Sequence, residues 1–175
     1  PDPAAVKAAV KEFQDAIKAS SKDAAGRLAA VQKVAVIRDP KVGAALLKLL
    51  GDRDPEVRAA VGRALGEQAD GSKNDAKYRK PLVARLKKWD KDDPQALIGY
   101  LDGLVNLPHA STIDPLTAMI KKIMYRERAP ERDVGIAACK ALGAIRDKSA
   151  VAEIIGLLGM TNPRAGSGGP TISQQ

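Results

Sequence analysis

Aromatic side chains are scarce in this sequence: they make up 3% of its 175 residues, whereas 45% of the residues are hydrophobic. A core built from such a composition must consist of small and aliphatic side chains that pack closely, as pairs of helices do. A β-sandwich is therefore disfavoured, because strands are enriched in aromatic residues. The length is that of one domain, and 29% charged residues favour a soluble one.

Cysteine and histidine occur once each, at Cys139 and His109. One cysteine excludes an intramolecular disulfide and a cysteine-rich metal site. His109 lies in a predicted turn beside Ser111 and Thr112, whose hydroxyls we interpret as local caps of the next helix. Cys139 lies on the flank of its helix, where we expect an incidental small residue rather than a nucleophile. Since the sequence also lacks a phosphate-binding loop and paired metal ligands, we predict no catalytic residues, no cofactor and no metal site.

Long hydrophobic runs are missing as well. No stretch of about 18 apolar residues occurs, which excludes a membrane-spanning helix, and no basic and apolar leader opens the chain. The first residue is Pro1 and not methionine, from which we expect a processed chain or a piece of a longer protein. The compartment stays open: it is either the cytoplasm or an exported location reached after loss of an upstream signal.

The chain has instead a repeated signal for the start of a helix. Asp suits the N-cap because its carboxylate accepts the unpaired N–H groups of the first turn, and Pro suits the next position. The sequence therefore predicts short, separately capped helices. Their predicted starts are Asp2-Pro3, Asp39-Pro40, Asp54-Pro55, Asp93-Pro94 and Asp114-Pro115.

Apolar residues follow one template, with offsets of 0, 3, 4, 7 and 8, which places them on one face of a helix. Four segments begin this template at positions 27, 57, 97 and 134, although the first carries Arg27 in the initial slot. Partner segments with the same template begin at Val42, Leu116 and Val151. The spacings of 30, 40 and 37 residues between the four segments fall in the range of helical-hairpin repeats rather than coiled-coil heptads.

The stretch 37–66, which contains the run DPEVRAAVGRALG, resembles the HEAT-repeat consensus, in particular the short HEAT-like form also found in phycobilisome lyases. Residues 134–147, VGIAACKALGAIRD, are similar, whereas the repeat at 93–126 departs most from the pattern. The resemblance covers about residues 22–160. It implies an all-α fold: a right-handed α-solenoid of about four HEAT-like helical hairpins, with an outer row of first helices and an inner row of second helices. Such a resemblance is specific for fold and not for function.

The two ends of the sequence differ from the repeats. Residues 3–19 form one more amphipathic helix, which we interpret either as a cap over the N-terminal end of the stack or as a half repeat left by truncation. From Thr161 the chain is rich in Gly, Pro and Ser, as linkers and disordered tails are. We therefore predict a single solenoid domain over residues 1–160, with an N-terminal capping helix, and a tail over 161–175.

The net charge of +8 is unevenly distributed. Residues 71–91 carry a net +6 and residues 111–128 a net +2, whereas 54–70 and 92–107 carry −2 and −3. In the implied arrangement the inner row is basic and the outer row acidic. Seven cations lie off the apolar stripes, where we expect them to face solvent and to form a positive track: Lys48, Lys80, Lys87, Lys88, Lys121, Lys122 and Arg126.

These cations have two interpretations: they are the solvated face of an ordinary helical protein, or they attract an acidic partner. Trp89, Tyr78 and Tyr100 fall at apolar-face positions and are expected in the core, so any nucleic-acid binding would depend on phosphates and on salt. We predict a monomeric, non-catalytic protein-interaction or scaffolding module that binds an acidic or extended partner on a basic concave surface. A phosphate-driven nucleic-acid-binding solenoid is the alternative, and an enzyme of a HEAT-like family, of lyase or DNA glycosylase type, comes third.

Overall fold

The computed structural model describes residues 2–123 and 129–158, and this part of the chain consists of nine α-helices without a strand. The helices are α1 Pro3–Ala19, α2 Ala24–Ala35, α3 Pro40–Leu47, α4 Pro55–Glu67, α5 Ala76–Leu86, α6 Pro94–Val105, α7 Ile113–Ile123, α8 Ala129–Ala144 and α9 Lys148–Leu158. Short 3₁₀ turns at Lys73–Asp75, Trp89–Lys91 and Ala110–Thr112 precede α5, α6 and α7. The predicted all-α class is confirmed.

Aspartate caps begin most of the helices that the sequence predicts. Four of the predicted caps accept hydrogen bonds from first-turn backbone N–H groups, at 3.1, 2.7, 2.9 and 2.8 Å: Asp2, Asp39, Asp54 and Asp93. The fifth prediction, at Asp114-Pro115, is wrong. α7 begins at Ile113, because a 3₁₀ turn capped by His109 leads directly into the helix and leaves Asp114 inside its first turn.

The helices stack in two rows that alternate along the chain. In one row α2, α4, α6 and α8 each pack on the next, and the odd-numbered helices form the other row. Apolar side chains from both rows meet in one core. All five template positions of α4, from Val57 to Leu65, are buried. This packing confirms the predicted solenoid of helical hairpins.

Each even-numbered helix pairs with the helix that precedes it. α1 packs mainly on α2, α5 on α6 and α7 on α8, so the hairpins are α1 with α2, α3 with α4, α5 with α6, and α7 with α8. The resemblance implied that the even-numbered helices come first in each repeat. The contacts show that they come second, so this prediction is wrong. α1 is the first helix of the first hairpin and also covers the N-terminal end of the stack, where it contacts α3.

Glycines bring the backbones of α4 and α6 into direct contact. A methyl group on Gly62 would lie 2.7 Å from the Gly99 carbonyl carbon, and one on Gly66 would lie 2.6 Å from the Gly103 carbonyl oxygen. Contacts along the odd-numbered row are much less extensive. We name the more closely packed row, α2, α4, α6 and α8, the inner row and the odd-numbered helices the outer row.

The basic segments consequently belong to the outer row. α5 lies in the segment 71–91 and α7 in the segment 111–128, and both helices are odd-numbered. The prediction that the basic helices come second in each hairpin is wrong. It followed from the implied order of helices within each repeat, which the contacts within the hairpins reverse. That a basic surface lies on the concave side stays a prediction.

Candidate functional site

The seven predicted cations do not all lie together. Arg126 lies outside the described residues, and the other six are exposed lysines. Lys48 stands at a groove between α1 and α3, together with Lys18. The remaining five lie on or directly after α5 and on α7, and we name them the basic face: Lys80, Lys87, Lys88, Lys121 and Lys122.

A groove of about 510 Å³ lies between α5 and α7. Lys87 contributes to it from the end of α5 and Lys122 from α7. The buried side chains of Leu86 and Met119 and the half-buried Trp89 also line it. The groove therefore combines apolar surface with a positive charge from each helix, which suits an acidic segment that carries an apolar side chain.

Two carboxylates lower the positive charge of this face. Asp114 lines the groove, and Glu153 Oε2 of α9 lies 3.5 Å from Lys121 Nζ, with the two side chains 40% and 47% exposed. An ion pair as exposed as this contributes less than about 1 kcal/mol, so a ligand can replace it. The other four lysines of the basic face form no ion pair with any residue of the described ranges.

A buried ion pair holds the turn between α3 and α4. Arg27, in the first template slot of α2, donates from Nε and Nη2 to the two carboxylate oxygens of Asp52, at 2.8 and 2.9 Å. Its Nη1 also donates to the backbone carbonyls of Ser20 and Ser21. Burial by itself would raise the pKa of Asp52, but the hydrogen bonds from Arg27 and from the Asp54 backbone hold that pKa below its usual range.

A second pair repeats the arrangement one repeat later. Arg58 Nη2 donates to Asp92 Oδ1 at 2.8 Å, and the Tyr100 hydroxyl donates to Asp92 Oδ2 at 3.2 Å. Arg58 Nη1 donates in addition to the Asp52 carbonyl at 2.7 Å. Burial and the neighbouring Asp92 raise the pKa of Tyr100 to about 12. Because Asp92 lies in the segment that joins α5 to α6, this network fixes the end of α5 beside which Lys87 lies.

Neither ion pair was predicted from the sequence. A signal for the first was present, since Arg27 occupies a slot that is apolar in the other three segments, and a buried arginine requires a buried acid. The second gave no such signal, because Arg58 falls beside the apolar stripe, where an exposed charge is ordinary.

His109 and Cys139 are not arranged for catalysis. His109 Nδ1 accepts a hydrogen bond from the Ser111 backbone N–H at 3.0 Å, and the Thr112 hydroxyl donates to the His109 carbonyl at 2.7 Å. These bonds close the turn before α7. The prediction that the Ser111 and Thr112 hydroxyls cap the helix is wrong, because the His109 ring accepts the backbone N–H and the Thr112 hydroxyl donates to a carbonyl instead. The Cys139 thiol is exposed, and partial desolvation raises its pKa, which is the opposite of what a nucleophilic thiolate requires.

The described ranges contain neither a cluster of metal-ligating side chains nor a helix suited to cross a membrane. Within residues 2–123 and 129–158, no three His, Cys, Asp or Glu side chains form a group that could hold a metal ion. No helix in that part of the chain is both long enough and apolar enough to cross a bilayer.

Comparison with known protein families gives a match to part of the chain. A family model described as HEAT repeats matches residues 10–97. The match begins inside α1 and ends inside α6, and it covers half of the 175 residues. No curated protein matches the chain.

Proposed function

The chain belongs to the HEAT-repeat family, and from this premise we propose that it is a protein-interaction module whose basic face binds an acidic segment of a partner protein. HEAT repeats generally mediate protein–protein interaction or scaffolding, and the family is typically non-enzymatic. The observation that carries the proposal is the groove between α5 and α7, to which each helix contributes a lysine beside buried apolar side chains.

The charges of the basic face support an acidic partner. Four of its five lysines have no ion pair among the described residues, so their field acts on solvent and on approaching ligands. At physiological ionic strength that field extends over about 8 Å. Because Lys87 and Lys122 belong to different helices, a ligand that pairs with both must cross the groove.

The rigidity of the scaffold supports a binding role as well. The network of Arg58, Asp92 and Tyr100 fixes the segment after α5 against α4 and α6. A surface that is already ordered loses little conformational entropy when a ligand binds, so more of the contact energy contributes to affinity.

Nucleic acid is the alternative ligand for the same lysines. Stacking on bases has little support, because Tyr78 and Tyr100 are 5% and 0% exposed and Trp89 packs against the core. Binding would then depend on phosphates alone, and its affinity would fall steeply with added salt.

Fluorescence anisotropy with the whole chain tests the proposal. The probes are a labelled peptide that alternates glutamate with leucine, and single-stranded DNA and RNA of the same length, each at two salt concentrations. The test variant is K87E/K122E, and the matched control is K7E/K11E, which reverses two exposed lysines of α1. Circular dichroism establishes that both variants remain folded.

The acidic peptide should bind the wild type and the control, and it should bind K87E/K122E roughly 10-fold more weakly, because two attractions become repulsions. Equal affinity for all three proteins would contradict the proposal. Tighter binding of the nucleic acids than of the peptide, with a steep salt dependence, would favour the alternative.

A further inference from the structure

A second groove lies on the inner row, between α2 and α4 and beside the start of α6. Its volume is about 470 Å³. We name it the inner groove and define it by six of its lining residues: Leu28, Gln32, Val36, Glu56, Arg63 and Glu67. We propose that it binds an extended cationic peptide segment that carries apolar side chains. This site is separate from the basic face and does not depend on the function proposed for that face.

The inner groove exposes apolar surface that the fold leaves uncovered. Val36, directly after the end of α2, is 79% exposed, the largest value among the exposed large hydrophobic residues of the described ranges. Leu28 is half-buried on the same helix. Leu28 and Arg58 of α4 have the same offset from the first slot of their segments, and so do Val36 and Gly66. Since α2 packs alongside α4, Leu28 lies near the start of α4 and Val36 near its end. Apolar surface is therefore present towards both ends of the groove. A ligand that covers this surface gains the free energy of removing it from water.

Two carboxylates without a counterion lie towards the same two ends. Glu56 is in the first turn of α4 and Glu67 is its last residue, and both are exposed. Neither forms an ion pair with another residue in the described part of the chain. Arg63 lies between them in sequence, but its Nη1 is 3.3 Å from Asp102 Oδ2 of α6, which balances its charge. The groove is therefore negative, although the whole chain carries +8.

The spacing of the glutamates defines the class of ligand. They are 11 residues apart in one helix, which corresponds to about 16 Å along its axis. An extended peptide spans that distance with about five residues. Because alternate side chains of an extended peptide share one face, the groove fits a segment with two lysines or arginines four or six residues apart. Apolar residues between them reach Leu28 and Val36. An acidic segment would meet two uncompensated carboxylates and is excluded by charge.

The test is a titration of a fluorescein-labelled peptide of lysine and leucine, with the lysines six residues apart, by the whole chain. One test variant neutralises the groove with Glu56→Gln and Glu67→Gln together. Its matched control is Asp15→Asn with Asp133→Asn, since both carboxylates are exposed and lie outside the groove.

The second test variant is Val36→Ser, and its control is Val151→Ser, a valine of α9 that is 52% exposed. The double glutamine variant should bind the peptide roughly 3- to 10-fold more weakly than the wild type, and Val36→Ser roughly 10-fold more weakly. Both controls should bind as the wild type does, and the basic-face variant K87E/K122E should bind no more weakly, because it lowers the net positive charge. Because the net positive charge repels polycations, binding reports the local charge of the groove.

Failure to bind the lysine and leucine peptide would overturn the proposal. So would an equal loss of affinity in a test variant and its control. The two proposals can fail independently. The basic face can fail to bind the acidic peptide while the groove variants still weaken binding of the cationic peptide. Conversely, K87E/K122E can weaken binding of the acidic peptide while the groove variants leave binding of the cationic peptide unchanged.

Discussion

Replacing Gly99 with alanine should destabilise the protein, although alanine is the better helix former. In an unobstructed helix this change stabilises by about 1 kcal/mol. At Gly99 the added methyl group would overlap the backbone of Ala59 in α4, and the Ala59 carbonyl carbon would lie 2.6 Å from it. A backbone atom cannot rotate away, so α4 and α6 would have to separate by roughly 1 Å to restore ordinary carbon contacts.

The magnitude follows from two opposing terms. Overpacking costs about 1–3 kcal/mol, and we expect the upper end because the obstructing atoms are backbone and because α4 and α6 form the most extensive helix contact of the described ranges. After subtraction of the gain in helix propensity, the net loss is about 2 kcal/mol. For a chain of this length, such a loss lowers Tm by about 4–8 °C.

Gly135 of α8 provides the matched control for thermal unfolding by circular dichroism. A methyl group at Gly135 would meet only Ile123 Cγ2, at 3.5 Å, which is ordinary van der Waals contact. Gly135→Ala should therefore raise Tm by about 2–4 °C, while Gly99→Ala lowers it. A similar rise in both variants would refute the reasoning, because it would mean that the contact between α4 and α6 has room for a side chain.

Asp52→Asn should lower the free energy of unfolding in urea by about 3 kcal/mol, because Arg27 would remain buried without its counterion; a loss no larger than that of an exposed carboxylate would contradict this. The pKa of Asp52 is lower in the folded protein than in the unfolded chain. Asp52 therefore adds stability at pH values above its unfolded-state pKa, and this stability is lost as the pH falls through its folded-state pKa. Asp52→Asn should remove this dependence, so that the free energy of unfolding falls less steeply in acid. Tyr100 has the opposite sign: its pKa is raised from 10.0 to about 12, so its contribution is complete below pH 10 and is lost as the pH rises through about 12. Tyr100→Phe should remove that alkaline loss, and urea midpoints across this range measure it. Asp54→Ala should cost about 1 kcal/mol through loss of the α4 cap, and an unchanged urea midpoint would show that the cap is dispensable.

The helices were predictable because caps and apolar stripes depend on residues within one helix. Four Asp-Pro caps are present where the sequence places them. Asp114 fails for a local reason, since the turn at Ala110–Thr112 already provides the start of α7. Asp23 caps α2 without a following proline, so a search for Asp-Pro pairs does not find it.

The assignment of the rows was not predictable in the same way, because it depends on helices that are distant in sequence. Gly62 and Gly99 read as flank residues of two separate helices, and their role emerges only where the helices meet. Exposure of the predicted lysines followed from their offsets, whereas binding by those lysines stays a prediction. The inner groove was missed because Val36 follows the last template position of α2 and because Glu56 and Glu67 resemble ordinary surface charges.

The unequal packing of the two rows gives the stack an uneven stiffness. The backbone contact between α4 and α6 leaves the inner row no space to compress, whereas α5 and α7 touch over a much smaller area. When the stack flexes, α4 and α6 therefore keep their distance, and α5 and α7 change theirs. The groove between α5 and α7 can then widen or narrow while the contact between α4 and α6 is kept. Acidic segments with side chains of different size would fit the groove with little loss of packing energy.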